Sequence, residues 1–286
     1  MSHESPYGEA PDYGAAQPTP PTEPSTRQVL EAPAQMNPIS RWIGALFSPG
    51  EMFSDVRRSP KDWWLPILIL VIVASASGYV VQARFNLTPE VLATAIADMG
   101  LEQQGKVRKD LTEQEKQGLE MQEKITTAMY KAAPVTAGFF ICVTVFLIGG
   151  IYRVLTLVVQ ARTTIFRCIS VASYAYCVPQ TLKWLLQIVL AFVKSPDTVD
   201  PVGYVQGGGL IHASPAAFMS MKAHPVLFSA LSWIDLFSIW FLALAIIGIS
   251  AVCVKKVKTG SAALVVVGPY GFLMLISIGL AAIFVK

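Results

Sequence analysis

The 286-residue chain is 53% apolar and only 14% charged, against roughly 25% charged in an ordinary soluble domain. That balance excludes a single soluble core and points to several membrane spans. With a net charge of +3 and no basic stripe carrying interleaved aromatics, nucleic acid is excluded as a partner.

Residues 1–36 carry Pro6, Pro11, Pro18, Pro20, Pro21, Pro24 and Pro33 among polar residues. Such a stretch cannot bury enough apolar surface to offset its ordering entropy, so it reads as a disordered cytoplasmic tail. It has neither the basic start nor the apolar core of a signal peptide. The membrane domain is expected over 37–286.

Two short amphipathic helices come next. Asn37-Pro38 opens the first, with Ile39, Trp42, Ile43 and Leu46 at helical spacing. Ser48-Pro49-Gly50-Glu51 reads as a capping box opening the second, with Phe47 and Met52 placed to form a hydrophobic staple. Met52, Phe53 and Val56 then share one face, while Asp55, Arg57 and Arg58 take the other, and Ser59-Pro60 ends the helix. Trp63 and Trp64 mark the head-group level where the first span begins. The expectation is interfacial anchoring by Trp42, Phe47, Phe53, Arg57, Arg58, Trp63 and Trp64, apolar face in lipid and arginines towards anionic head groups.

Five apolar runs follow, at about 63–82, 135–159, 166–193, 234–254 and 262–285. Each can cross a hydrocarbon core of about 30 Å, and none shows strand-like alternation. The fold class expected is therefore all-α integral membrane: a five-transmembrane-helix bundle with two short N-terminal interfacial helices and a helical hairpin in the first extramembrane loop. That hairpin lies in residues 83–133, which hold eight acidic and seven basic side chains. Thr88-Pro89 and the box Thr112-Glu113-Gln114-Glu115 are its two helix starts. The 194–225 connection is rich in Gly and Pro, with a short helix suggested at Ser214-Pro215. Arg57, Arg58 and Lys61, Arg162 and Arg167, and Lys255, Lys256 and Lys258 all fall on one side of a five-span chain. The positive-inside rule makes that side cytoplasmic, with the N-terminus in and the C-terminus out.

Three ionisable residues sit inside runs: Arg153, Lys183 and Asp235. Such residues suggest either a relay or a packing pair; the scarcity of carboxylates favours Asp235 pairing with Lys183 or Arg153, or snorkelling of the basic chains. Pro179 is expected to kink the third run and free carbonyls near Ser173, Tyr174 and Ala175. Small residues, Ala74 to Gly78 in the first run and Gly149 and Gly150 in the second, suit close helix approach. Cys142, Cys168, Cys177 and Cys253 lie in apolar surroundings without a CxxC pair and read as buried small side chains. His212 and His224 lack a carboxylate at ligand spacing. GxSxG, HExxH and GxxxxGK[ST] are absent. No catalytic, cofactor or metal residues are assigned.

"FSPGEMF" followed by "WWLP", then "SVASYAYCVPQTL" and "WIDLFSIWFLALAIIGIS", resemble the Yip-one domain family from about residue 40 to the C-terminus. The resemblance implies five spans, a cytoplasmic N-terminal tail and a C-terminus on the far side. Eukaryotic members bind small Rab-type GTPases in vesicle trafficking. This chain has "FSPGEMF" where they carry an acidic-Leu-Tyr-Gly-Pro type motif, which argues against small-GTPase binding and places it with the bacterial branch, in the cytoplasmic (inner) membrane. The function expected is a non-enzymatic scaffold or adaptor in membrane organisation or trafficking. Its partners are the lipid bilayer and another membrane or cytoplasmic protein. The alternative is a small transporter or permease component with a polar core of Arg153, Lys183 and Asp235.

Overall fold

The computed structural model describes residues 33–207, 209–211, 213–219, 224–253 and 258–284. Residues 1–32 of the tail, His212, Lys255 and Lys256 lie outside them. The first helix, α1 (Pro38–Phe47), starts where the Asn37 side chain accepts from the Ser40 amide at 2.7 Å. Its successor α2 (Pro49–Arg58) follows after a single residue. Ser48 closes α1, donating its amide to Gly44 O at 2.8 Å, and opens α2 with no side-chain cap. The expected Ser48–Glu51 box is therefore not formed: one residue serves two helix ends, with its backbone at φ −144°, ψ 61°. Nor does the staple form, because Phe47 is 82% exposed while Met52 is fully buried. Met52 packs on Gly44 instead, where an added Cβ would stand 3.2 Å from it.

Among the described residues four helices are long and apolar enough to cross a bilayer: α3 (Trp64–Phe85), the Thr136–Val158 part of α5 (Glu113–Val158), α6 (Ile165–Val193) and α10 (Thr259–Phe284). The pair α8 (Pro225–Ser232) and α9 (Leu236–Val252), bent by 50° at a short break, makes a fifth if it is one span. Leu236 opens α9 because Asp235 caps it, accepting from Ser238 N at 2.7 Å. The Tyr270 hydroxyl donates to Trp233 O at the break, which satisfies a carbonyl that the helix no longer serves.

The first extramembrane loop is a helical hairpin. Thr88 caps α4 (Pro89–Gln103), and the Thr112–Glu115 box is reciprocal at the head of α5 (Glu113–Val158). This 46-residue helix is about 70 Å long, twice the hydrocarbon thickness and more. The second hairpin helix and the second span are thus one rod, and its upper half carries α4. The hairpin docks on the bundle through a small core of Val81, Phe85, Leu87, Leu92, Ala191 and Leu210. A seven-residue helix, α7 (Pro201–Gly207), packs against α4 there.

At the centre stands α6, packed on α1, α3, α5 and α9. Two glycines let it be approached. A Cβ on Gly149 of α5 would lie 2.8 Å from Ile169 Cα, and one on Gly248 of α9 would lie 2.6 Å from Val171 Cγ1. Helices meeting at such small residues gain dispersion contacts that bilayer lipid cannot match as closely. The helix runs on through Pro179, which is buried.

Candidate functional site

The site forms where the N-terminal helices meet the first turns of α6. Arg41 on α1 is 1% exposed although it interrupts an apolar pattern. Its Nε and Nη2 each lie 2.9 Å from Asp55 Oδ2, and Nη1 donates to Asp62 Oδ2 at 2.8 Å and to Ser59 O at 2.9 Å. The other Asp55 oxygen, Oδ1, accepts from Gln35 N at 2.7 Å, and Oδ2 also receives Met36 N at 3.3 Å. The planar guanidinium fork therefore ties α1, α2 and the 59–63 linker together, in a geometry lysine could not reproduce. Burial pushes the Asp55 carboxyl up, but the Gln35 amide, the Arg41 guanidinium and the Met36 amide outweigh it and hold it below its ordinary value. With both oxygens engaged, Asp55 is a structural anion and no free base.

A ladder on α6 holds the same linker from the other side. Arg167 Nε donates to Arg57 O at 2.9 Å, Ser170 Oγ shares its proton between Pro60 O at 3.1 Å and Phe166 O at 2.9 Å, Ser173 Oγ donates to Trp63 O, and the Tyr174 hydroxyl to Asp62 O at 3.4 Å. Arg57 O, left over at the end of α2, and Pro60 O in the proline-interrupted linker thus find donors in a buried place, where leaving them bare would cost about 1–3 kcal/mol each. Asp62 O also takes Leu65 N at 3.3 Å, and Trp63 O is the cap carbonyl of α3. Three of these donors, Ser170, Ser173 and Tyr174, are themselves buried.

The face assignment of α2 needs correction. Asp55 is buried together with Met52, Phe53 and Val56, because Arg41 neutralises it from the neighbouring helix. Phe53 is fully buried, its ring edge 3.1 Å from where a Gly248 Cβ would stand, and α2 packs on α9. Expected as a lipid anchor, Phe53 is a core side chain, and the apolar face of α2 meets protein rather than lipid. On α1, by contrast, Ile39, Ile43 and Phe47 stand outward at 66%, 48% and 82% exposure. Trp42 is half-buried with Nε1 unpartnered, and Arg57 and Arg58 are half-buried with their Nε atoms unpartnered among the described residues. Trp63 lies edge-on to Phe146 at 5.1 Å, while Trp64 is 49% exposed.

Arg153, Lys183 and Asp235 are not brought together by any ion pair among the described residues. Lys183 Nζ sits 5.9 Å above the Phe237 ring, Asp235 is the α9 cap, and Arg153 keeps a buried Nη1 without a partner among the described residues. The pairing of Asp235 with Lys183 or Arg153 is thus replaced by capping and a cation–π contact. Among the described residues no group of three His, Cys, Asp or Glu could hold a metal. Cys168, Cys177 and Cys253 are buried, Cys142 is half-buried, and all are free.

The Yip1 domain model matches residues 43–281. The chain belongs to the Yip1 domain family. It is an integral, multi-pass membrane protein of several apolar helices. The matched stretch of this Yip1 domain contains α2, the linker and the α6 ladder, whereas Arg41 lies just ahead of it. No curated protein and no solved structure matches the chain. Sequence reasoning missed Arg41 and the ladder. Their visible signals were an arginine inside an apolar stripe, and Ser170, Ser173 and Tyr174 at i, i+3 and i+4 on one face of a span.

Proposed function

We propose that this Yip1 domain protein is a non-enzymatic multi-pass scaffold or adaptor in membrane organisation or trafficking. The clamp supports this reading: Arg41–Asp55 and the α6 ladder fix α1 and α2 to the bundle, and Asp55 also holds Gln35 and Met36, so the tail departs from a rigid point. Exposed Ile39, Ile43 and Phe47 on α1 suit contact with the lipid surface, so anchoring there belongs to α1, Trp64 and the flanking arginines. Its membrane is the cytoplasmic one of a bacterium, with the N-terminus inside, and the proline-rich segment ahead of Gln35 is the recruiting arm. The partner is another membrane or cytoplasmic protein; small GTPases, nucleic acids and cofactors have no part in the proposal.

Detergent-free affinity capture from native membranes tests it. One reproducible partner should be retained by the full chain and lost when residues 1–34 are removed, with the bundle still folded. Repeated capture of nothing beyond bulk lipid overturns the proposal. A second reading, a transporter or permease component, is favoured by one observation: the fifth span is broken, with Asp235 at the break, as in carriers that bind solutes at interrupted helices. Asp235→Asn combined with Lys183→Gln separates the two. Altered transport with unchanged folding supports the carrier, and a change in stability alone removes it.

A further inference from the structure

At the end of the bundle away from the clamp lies a cavity of about 300 Å³, between α3, the upper part of α5 and α6. It exists because the facing surfaces are small: Ala74 and Gly78 on α3 oppose Ala133 and Ala137 on α5, and nothing lies within 4 Å of a Cβ built on Gly78. Lower down the same two helices close on each other, with Val71 Cγ2 3.6 Å from where a Gly138 Cβ would be. Trp184 of α6 forms the back wall, and the turn before α4, α4 itself and α7 supply the roof with Leu87, Leu92 and Tyr204. Tyr79 lines the cavity and is 75% exposed within the first span, so the cavity reaches the lateral surface of the bundle.

The lining decides the class of occupant. No charged residue is among those around this cavity, which excludes an ion or a charged solute. The polar groups gather towards the roof: Gln82, Tyr130 and Tyr204. Burial raises both phenols above their ordinary value, so they stay neutral donors. An apolar void of this size forfeits the dispersion contacts that close packing would give, and Ala74, Gly78, Ala137 and Trp184, which belong to spans, put its lower part at bilayer depth.

We propose that this cavity is a lipid site, holding one acyl chain of a membrane phospholipid inserted between α3 and α5. The chain lies against Trp184, and its ester carbonyl accepts from the tyrosine hydroxyls at the roof. A neutral slot with a few donors at one end and a lateral mouth matches such an amphiphile in volume and polarity. This inference stands whether or not the scaffold reading holds.

The test uses the full chain in nanodiscs of phosphatidylcholine carrying a mid-chain diazirine, with adducts mapped by peptide mass spectrometry after photolysis. Trp184 is the informative position, because α3 and α5 stand between it and bulk lipid on the cavity side. The proposal expects adducts at Trp184 together with 74–82, besides those on the bilayer-exposed stripe of Phe272 and Leu275, which are 64% and 67% exposed. Gly78→Phe, which grows a ring into the open space, should remove the Trp184 adduct and leave the Phe272–Leu275 signal unchanged. Ala137→Leu serves the same purpose should the larger variant lose its cooperative melt. Labelling of Phe272 and Leu275 without labelling of Trp184 in the wild type overturns the proposal, as does an undiminished Trp184 adduct in a folded variant.

Discussion

Replacing Arg41 by Met removes the guanidinium and keeps most of the side-chain volume. Asp55, 4% exposed, is left as a buried anion held only by the Gln35 and Met36 amides, and Ser59 O loses its donor. Breaking one side of a buried pair costs about 3–5 kcal/mol. Asp62 is 26% exposed, so freeing it adds little, about 0–1 kcal/mol. The two surviving amide donors soften the loss at Asp55. The expected destabilisation is therefore near the lower end, about 3 kcal/mol. Adding Asp55→Leu removes the stranded charge and should restore most of the loss, since apolar replacement of both partners is often neutral or better. Arg41→Lys should fall between, as one ammonium cannot serve Asp55, Asp62 and Ser59 together. The assay is reversible unfolding in bicelles by steric trapping, arranged as a double-mutant cycle. An Arg41→Met variant within about 0.5 kcal/mol of wild type, or a double variant as damaged as the sum of the singles, refutes the reasoning.

Other outcomes follow from the same geometry. Gly149→Ala should destabilise by about 1–3 kcal/mol through overpacking on the Ile169 backbone. Gly150→Ala, which meets nothing within 4 Å, should be neutral or stabilising by about 0.5–1 kcal/mol, and the same unfolding assay reads both. Ser170→Ala and Ser173→Ala should each cost about 0.5–1.5 kcal/mol, the net worth of one hydrogen bond, because Ser170 shares its proton with Phe166 O and Trp63 O keeps its place as the first acceptor of α3. Hydrogen exchange at residues 59–64 should speed up in each. In the hairpin, the Lys131 partner of Glu90 and the Lys106 partner of Glu115 are the main causes holding each carboxyl down at about 2. Their support is complete above the unfolded value of about 4.3 and is lost as pH falls through about 2. Both are exposed, so the protection factors of the amides at 88–91 and 112–116, exchange corrected for its intrinsic pH dependence, should fall modestly between pH 5 and 2, with little change from pH 8 to 5.

What the sequence disclosed and what it hid divide along physical lines. The spans were readable because a bilayer demands about 20 apolar residues in a row, and the Thr88 and Thr112 starts because a cap is local chemistry. Ser48 carried the same local signal as Thr112 and failed, since the closing turn of α1 occupied the same residue. The helical period set Asp55 opposite Val56's neighbours in a wheel but could not supply Arg41, fourteen positions upstream, as the partner that lets it be buried. Likewise, Arg153, Lys183 and Asp235 stood out as charges in apolar runs, yet which helices adjoin is decided by glycine contacts such as Gly149 on Ile169 and Gly248 on Val171. The α6 ladder pairs residues about 110 positions apart, and no local pattern names the carbonyl that a span's serine will meet.

The central claim is that α2 is clamped into the protein, leaving the lipid contact to α1. A benzoylphenylalanine placed at Phe53, and separately at Phe47, in the full chain in native membranes puts that claim to the question directly. After irradiation, position 53 should couple within the chain to α9 around Leu244 to Ile249, and position 47 should couple to lipid. Lipid adducts from position 53 in a protein that still unfolds cooperatively would contradict the account.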